Sequence, residues 1–136
     1  MFRLHERLAA ETLEAGRWPL CRILLMNDRA YPWLILVPER AGLKDLHDLD
    51  PADREGIMGE IAKASRALRQ LHNPDKINVA ALGNVVPQLH IHIIARFTTD
   101  PAWPRPVWGV RPPEPYEPAA ARETLARLAD AFAAVG

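Results

Sequence analysis

The chain has 136 residues, one cysteine and equal numbers of acidic and basic side chains, 17 of each. That length supports a single domain over residues 1–136 with one hydrophobic core, and one cysteine rules out an internal disulfide framework. Balanced charge leaves no broad positive field for long nucleic acids, while small anionic ligands, which need only local donors, stay open.

The first predicted element is a helix over residues 2–15, where Phe2, Leu4, Leu8 and Leu13 interleave with charges and Gly16 stops the run. Arg3, His5, Glu6 and Arg7 interrupt any secretory apolar core. No segment approaches the ~18 apolar residues of a membrane span. A cytoplasmic protein with no membrane partner is therefore expected. Residues 20–26 form a short apolar run that reads as a strand, and Cys21 inside it reads as a small buried hydrophobe. Asn27-Asp28-Arg29-Ala30 carries turn residues, and Trp33 to Val37 is a second strand closed by Pro38, so the two pair as a hairpin.

Asp50 is a helix N-cap and Pro51 a first helical residue. Ile57, Ile61, Ala64, Leu68 and Leu71 then repeat at helical spacing until Asn73-Pro74 ends the element. Strands are predicted over 76–82 and 88–97, with Gly83 and Asn84 marking the bend between them. Seven of the thirteen prolines fall within 101–118, which excludes a regular helix or a central strand there. The same stretch holds Trp103, Trp108 and Tyr116, so an ordered, packed loop is expected and not a disordered linker. Pro118 opens a last helix with Leu125, Leu128 and Phe132 on one face. The fold class is α+β: an antiparallel sheet, a long central helix, and flanking N- and C-terminal helices.

The chemistry concentrates at Gln88-Leu-His-Ile-His-Ile-Ile94. Period-two alternation puts Leu89, Ile91 and Ile93 on one face and Gln88, His90 and His92 on the other. Imidazole can bind a metal, shuttle a proton or attack as a nucleophile. A zinc or iron site needs a third and usually a fourth ligand, and His5, His47 and His72 lie on unsuitable elements. A serine hydrolase is excluded: there is no Gly-x-Ser-x-Gly elbow, and Ser65 sits mid-helix. Chemistry at a phosphate needs fewer additions and no metal. A neutral imidazole attacks phosphorus through Nε2 if an acceptor such as the Gln88 carbonyl holds Nδ1–H. Asn84, Gln88, His92 and backbone N–H groups near Gly83 would serve the charged oxygens. A satisfied surface pair of histidines, with no function, is the competing reading.

This segment resembles the histidine triad family of nucleotide hydrolases and transferases, whose motif alternates three histidines with apolar residues. The likeness extends to the approach Asn78 to Gln88, to the hairpin Leu25-Met-Asn27 and Trp33 to Pro38, and to the helix 51–72. It is placed nearest the diadenosine polyphosphate hydrolase-like branch. The resemblance implies His90 as nucleophile, forming a covalent nucleotidyl-histidine, and His92 as a phosphate contact. It implies phosphate-contacting amides at Asn78 and Asn84, beside Gly83, and a ribose contact at Asn27. It also implies a small nucleotide substrate cut at its α-phosphate, no cofactor, and a homodimer. Two positions depart from the pattern. Gln88 stands where the first histidine would, and a carboxamide can hydrogen-bond a leaving group but cannot protonate it. Trp33 stands where many members carry histidine; it either borders the base or packs in the core. Trp103 or Trp108 is expected either to close over the site or to pack on the surface. A non-catalytic nucleotide-binding module and a small metalloprotein using His90 and His92 remain as alternatives.

Overall fold

The computed structural model describes residues 1–136. Its elements are α1 (Glu6–Glu11), β1 (Thr12–Arg17), β2 (Cys21–Met26), β3 (Trp33–Pro38), α2 (Pro51–His72), β4 (Lys76–Ala80), β5 (Ile91–Arg96) and α3 (Pro118–Val135). The five strands form one sheet in the order β1-β2-β3-β5-β4, with every neighbouring pair antiparallel. The expected α+β class is the one observed. No helix is long and apolar enough to cross a membrane.

The N-terminal prediction needs correction. In place of one helix over 2–15, an extended segment leads into a six-residue α1, and Thr12 then turns the chain into an edge strand. His5 starts the helix, its Nδ1 accepting from Arg7 N at 3.1 Å. Thr12 ends it with extended backbone, while its hydroxyl donates to Leu8 O at 2.6 Å and satisfies a last-turn carbonyl. The four apolar residues of this stretch are spaced too irregularly to distinguish a helix from a half-exposed strand.

The last two strands are shorter than the predicted 76–82 and 88–97. The ladder between β3 and β5 runs from Trp33 opposite Ile94 to Leu36 opposite Ile91. Two residues further along this register Leu89 would face Pro38, which has no N–H to donate. Leu89 N instead donates to Leu43 O at 3.0 Å. Gln88 and His90 therefore lie on an irregular approach just outside the sheet, and His92 lies within it.

Helix α2 starts and stops where the sequence indicates. Asp50 caps it, accepting from Asp53 N at 2.8 Å, and Asn73 closes it in the left-handed conformation at φ 46°. From α2, Glu60 accepts the backbone N–H groups of Leu20 and Cys21, both at 2.9 Å, tying the helix to the start of β2. Burial, with Glu60 adding, pushes the Cys21 thiol far above its ordinary range, as befits a core side chain.

The sheet is buried on both faces. On one, Leu34, Leu36, Ile91 and Ile93 pack against Ile57, Ala64 and Leu68 of α2 and Leu128 and Phe132 of α3. On the other, Leu24, Trp33, Ile35 and Ile94 are covered by Leu8 and by Ala102 and Val107 of the proline-rich loop. That loop packs on the sheet through Ala102 and Val107. At its far end Asp28 accepts from Glu114 N at 3.2 Å and Asn27 accepts from Tyr116 N at 2.9 Å.

Candidate functional site: a pair of imidazoles with fixed tautomers

His90 and His92 are both buried, their ring centroids 4.9 Å apart. His90 Nδ1 lies 2.7 Å from the Gln88 carbonyl oxygen. A carbonyl only accepts, so Nδ1 carries a proton, and in the neutral ring Nε2 keeps its lone pair. This is the arrangement that the two-residue spacing predicts.

His92 is held in the opposite sense. Its Nδ1 accepts from the indole N–H of Trp33 at 3.0 Å, so the proton of its neutral form sits on Nε2. Burial, with the neighbouring His90 adding, pushes its pKa down to about 3. No carboxylate lies within ion-pair distance of either ring to counter this. Trp108 completes the enclosure, its ring centroid 5.0 Å from His92 and 5.8 Å from Trp33, edge-on to both. Of the two tryptophans considered for this place, Trp108 reaches it from the chain's own loop. Trp103 instead lies against the Arg96 guanidinium, 5.7 Å away.

Gln88 is engaged elsewhere. Its Oε1 accepts from His5 N and its Nε2 donates to Arg3 O, both at 2.8 Å. The side chain thus clamps the N-terminal segment while its own backbone carbonyl orients His90. One carboxamide N–H remains for a ligand.

The other predicted site residues divide. Gly83, at φ 77°, lines an open cavity of about 230 Å³ with His90, Lys44, Leu46 and Leu82. Asn84 is exposed beside it. Asn78 is turned to Arg96, whose Nη1 donates to its Oδ1 at 2.8 Å. Asn27, as described, holds the proline-rich loop. A larger cavity of about 310 Å³ lies toward α2 and α3, around Leu68, His72, Tyr116 and Arg127, and contains neither imidazole of the pair. There is no group of three or more His, Cys, Asp or Glu side chains placed to hold a metal ion.

Sequence reasoning left the function of Trp33 open between two readings and did not find Lys44. Arg96 also went unnoticed. It is 2% exposed, ion-paired to Asp100 at 2.8 Å and donating to Arg105 O at 2.8 Å, and it joins β5 to the proline-rich loop. The only sequence signal for it is an arginine ending an otherwise apolar strand.

The chain is an α+β domain with a pair of buried imidazoles at one end of its antiparallel sheet. The HIT domain family model matches residues 11–99, and the chain belongs to that family, whose members are nucleotide-binding hydrolases or transferases. Among solved structures, it is similar to a histidine triad protein from Marinobacter aquaeolei VT8, with 45% identity, a TM-score of 0.96, and coverage of 100% of this chain and 99% of that one. A histidine triad protein from Bradyrhizobium japonicum shares 45% identity at a TM-score of 0.94, covering 96% of this chain and 98% of that chain. A histidine triad (HIT) protein from Sinorhizobium meliloti 1021 shares 43% identity at a TM-score of 0.93, covering 95% and 96% respectively. No curated protein matches.

Proposed function

We propose that this protein is a nucleotide hydrolase or nucleotidyl transferase that acts at the α-phosphate of an adenine nucleotide conjugate through a covalent intermediate on His90. The observation that carries the reading is the 2.7 Å contact between His90 Nδ1 and the Gln88 carbonyl, which leaves Nε2 free to attack. In the first step Nε2 bonds to phosphorus and the bond from phosphorus to the leaving group breaks. In the second, water or another acceptor attacks phosphorus and releases its proton to solvent, the P–N bond breaks, and His90 is regenerated as the neutral imidazole. His92, neutral and protonated on Nε2, donates to a phosphate oxygen. Gly83 lines the cavity beside His90, and its backbone N–H, with the side chain of the adjacent, exposed Asn84, suits the remaining oxygens. Asn78 and Asn27 enter the site only if their present partners release them.

Gln88 supplies no acid, so the reading favours conjugates whose leaving group departs without a proton, such as the phosphate side of a dinucleoside polyphosphate. A nucleoside phosphoramidate fits less well unless its nitrogen is protonated by solvent. The hydrogen bonds of Gln88 to residues 3 and 5 favour a second reading, a nucleotide-binding module without turnover. Incubation with α-labelled dinucleoside polyphosphate, quenched with denaturant, separates the two. Label on His90 that is absent from His90→Asn supports the enzyme. Bound nucleotide with neither label nor turnover overturns it.

We further propose a homodimer. β4 is the terminal strand of the sheet, and its outer hydrogen-bonding edge is unpaired. Light scattering on the purified protein is expected to give twice the 15.2 kDa chain mass, and a monomer at micromolar concentration counts against this.

A further inference from the structure

Trp33 opens β3, two residues before Ile35, the residue paired with His92 across the ladder. Its side chain therefore shares the face of His92 and reaches it diagonally. The indole is 4% exposed and is packed edge-on by Tyr31, at 6.2 Å, and by Trp108. It has one polar atom, Nε1, and that atom donates to His92 Nδ1 at 3.0 Å.

An indole N–H donates and never accepts. It is satisfied only while His92 Nδ1 is bare. An imidazolium carries N–H on both nitrogens and would set Nδ1–H against the indole N–H. The alternative neutral tautomer does the same. Both outcomes leave a buried donor unpaired, which is costly in a low-dielectric interior. The groups facing His92 are His90, Trp33 and Trp108, and none of them offers a negative charge to offset protonation.

We propose that Trp33 is a positioning residue that locks His92 in its neutral, Nε2-protonated tautomer, making it a permanent hydrogen-bond donor beside the bare Nε2 of His90. The two rings thus present complementary atoms, a lone pair on one and a proton on the other, each fixed by what its Nδ1 touches. Trp33 does this through Nδ1 alone and acts on a ligand only through His92.

The tautomer is open to direct measurement, without substrate, by long-range proton–nitrogen NMR on protein labelled with ¹⁵N-histidine. In the wild type, His92 is expected to show a pyridine-like Nδ1 and a pyrrole-like Nε2 that stay unchanged between pH 8 and pH 5. In Trp33→Phe, which keeps an aromatic ring and loses the N–H, both nitrogens are expected to move toward values averaged over the two neutral tautomers, at pH 8 and at pH 5 alike. Trp108→Phe, which leaves the indole–imidazole bond intact, is expected to keep the wild-type pattern. A wild-type His92 that carries its proton on Nδ1, or that titrates with an ordinary histidine profile, overturns the proposal even if Trp33→Phe fails to fold. An unchanged pattern in folded Trp33→Phe also overturns it. The catalytic consequence rests on the proposed function and is read separately. The kcat/KM of Trp33→Phe should fall to a similar extent at pH 5 and pH 8, with the loss bounded by the roughly 10²–10³-fold worth of one oriented donor. Absence of any turnover would overturn the enzymatic reading and leave the NMR result standing.

Discussion

At the scale of single residues, the site depends on which atom each side chain has free. His90 has its lone pair free because a backbone carbonyl occupies the other nitrogen. Replacing it with Asn removes the proposed nucleophile and should abolish trapped label while leaving nucleotide affinity within a few fold. Gln88→His tests whether the missing acid matters. Turnover of poor leaving groups is expected to rise by up to ~10²-fold, the low end of what general-acid help is worth. No rise on those substrates would mean that protonation of the leaving group does not limit the rate. The histidine pair was legible in the sequence because strand alternation is local. The partner of His92 was not, since Trp33 lies 59 residues away and meets it only through the pairing of β3 with β5. For the same reason Asn27 and Asp28 could be read as turn residues, while their grip on Tyr116 and Glu114, across 89 and 86 residues, could not.

At the scale of elements, α2 was the most legible, because Asp50, Pro51 and Asn73-Pro74 mark its ends chemically as well as by periodicity. Asp50→Ala should cost about 1 kcal/mol, measurable by urea unfolding. Residues 12–17 were misread because an edge strand needs a neighbour, and β2 is what turns this half-polar run into sheet. The aromatics of the proline-rich loop led to the expectation of a packed segment, but nothing in the sequence marked its anchor. Asp100 binds Arg96 at 2.8 and 3.0 Å and also accepts from Phe97 N and Trp103 N. Burial pushes its carboxyl upward, but the Arg96 guanidinium and these backbone donors outweigh that and hold it below the usual carboxylate range. A depressed folded value means that the unfolded chain takes up the proton first. The stabilisation from this pair is therefore complete at neutral pH. It begins to fade as pH falls through the ordinary value near 3.8 and is lost below the folded value. Asp100→Ala strands a buried guanidinium and should cost roughly 3–5 kcal/mol at pH 7, with the deficit shrinking in strong acid. Denaturant melts at pH 7 and pH 3 would show this.

At the scale of the whole molecule, the sheet separates two unlike interiors. The helix side is apolar throughout, and Ile93→Ala there should cost about 2–5 kcal/mol, with His90 and His92 unmoved in the NMR spectrum. The other side mixes Trp33, His92 and Arg96 with apolar residues, and it is closed by segments from both ends of the chain. His92 adds a pH dependence of its own. Its folded value near 3 lies far below the ordinary 6.5, so the unfolded chain binds the extra proton anywhere between them. Stability should decline progressively as pH drops from about 6.5 toward 3. The α+β class and the antiparallel sheet were legible from the order of elements. The two-sided burial was not, because it depends on residues 1–11 and 101–110 folding back over a face that the strand pattern alone would assign to solvent.

The clamp formed by Gln88 has a practical consequence. Its carboxamide grips Arg3 and His5 while the carbonyl of the same residue sets the ring of His90, so one residue links the segment around residues 3–5 to the proposed nucleophile. A protease that trims five residues alters neither imidazole in composition but removes both partners that hold the residue behind one of them. A sample clipped after His5 is therefore expected to hold the His90 ring less firmly than the intact chain.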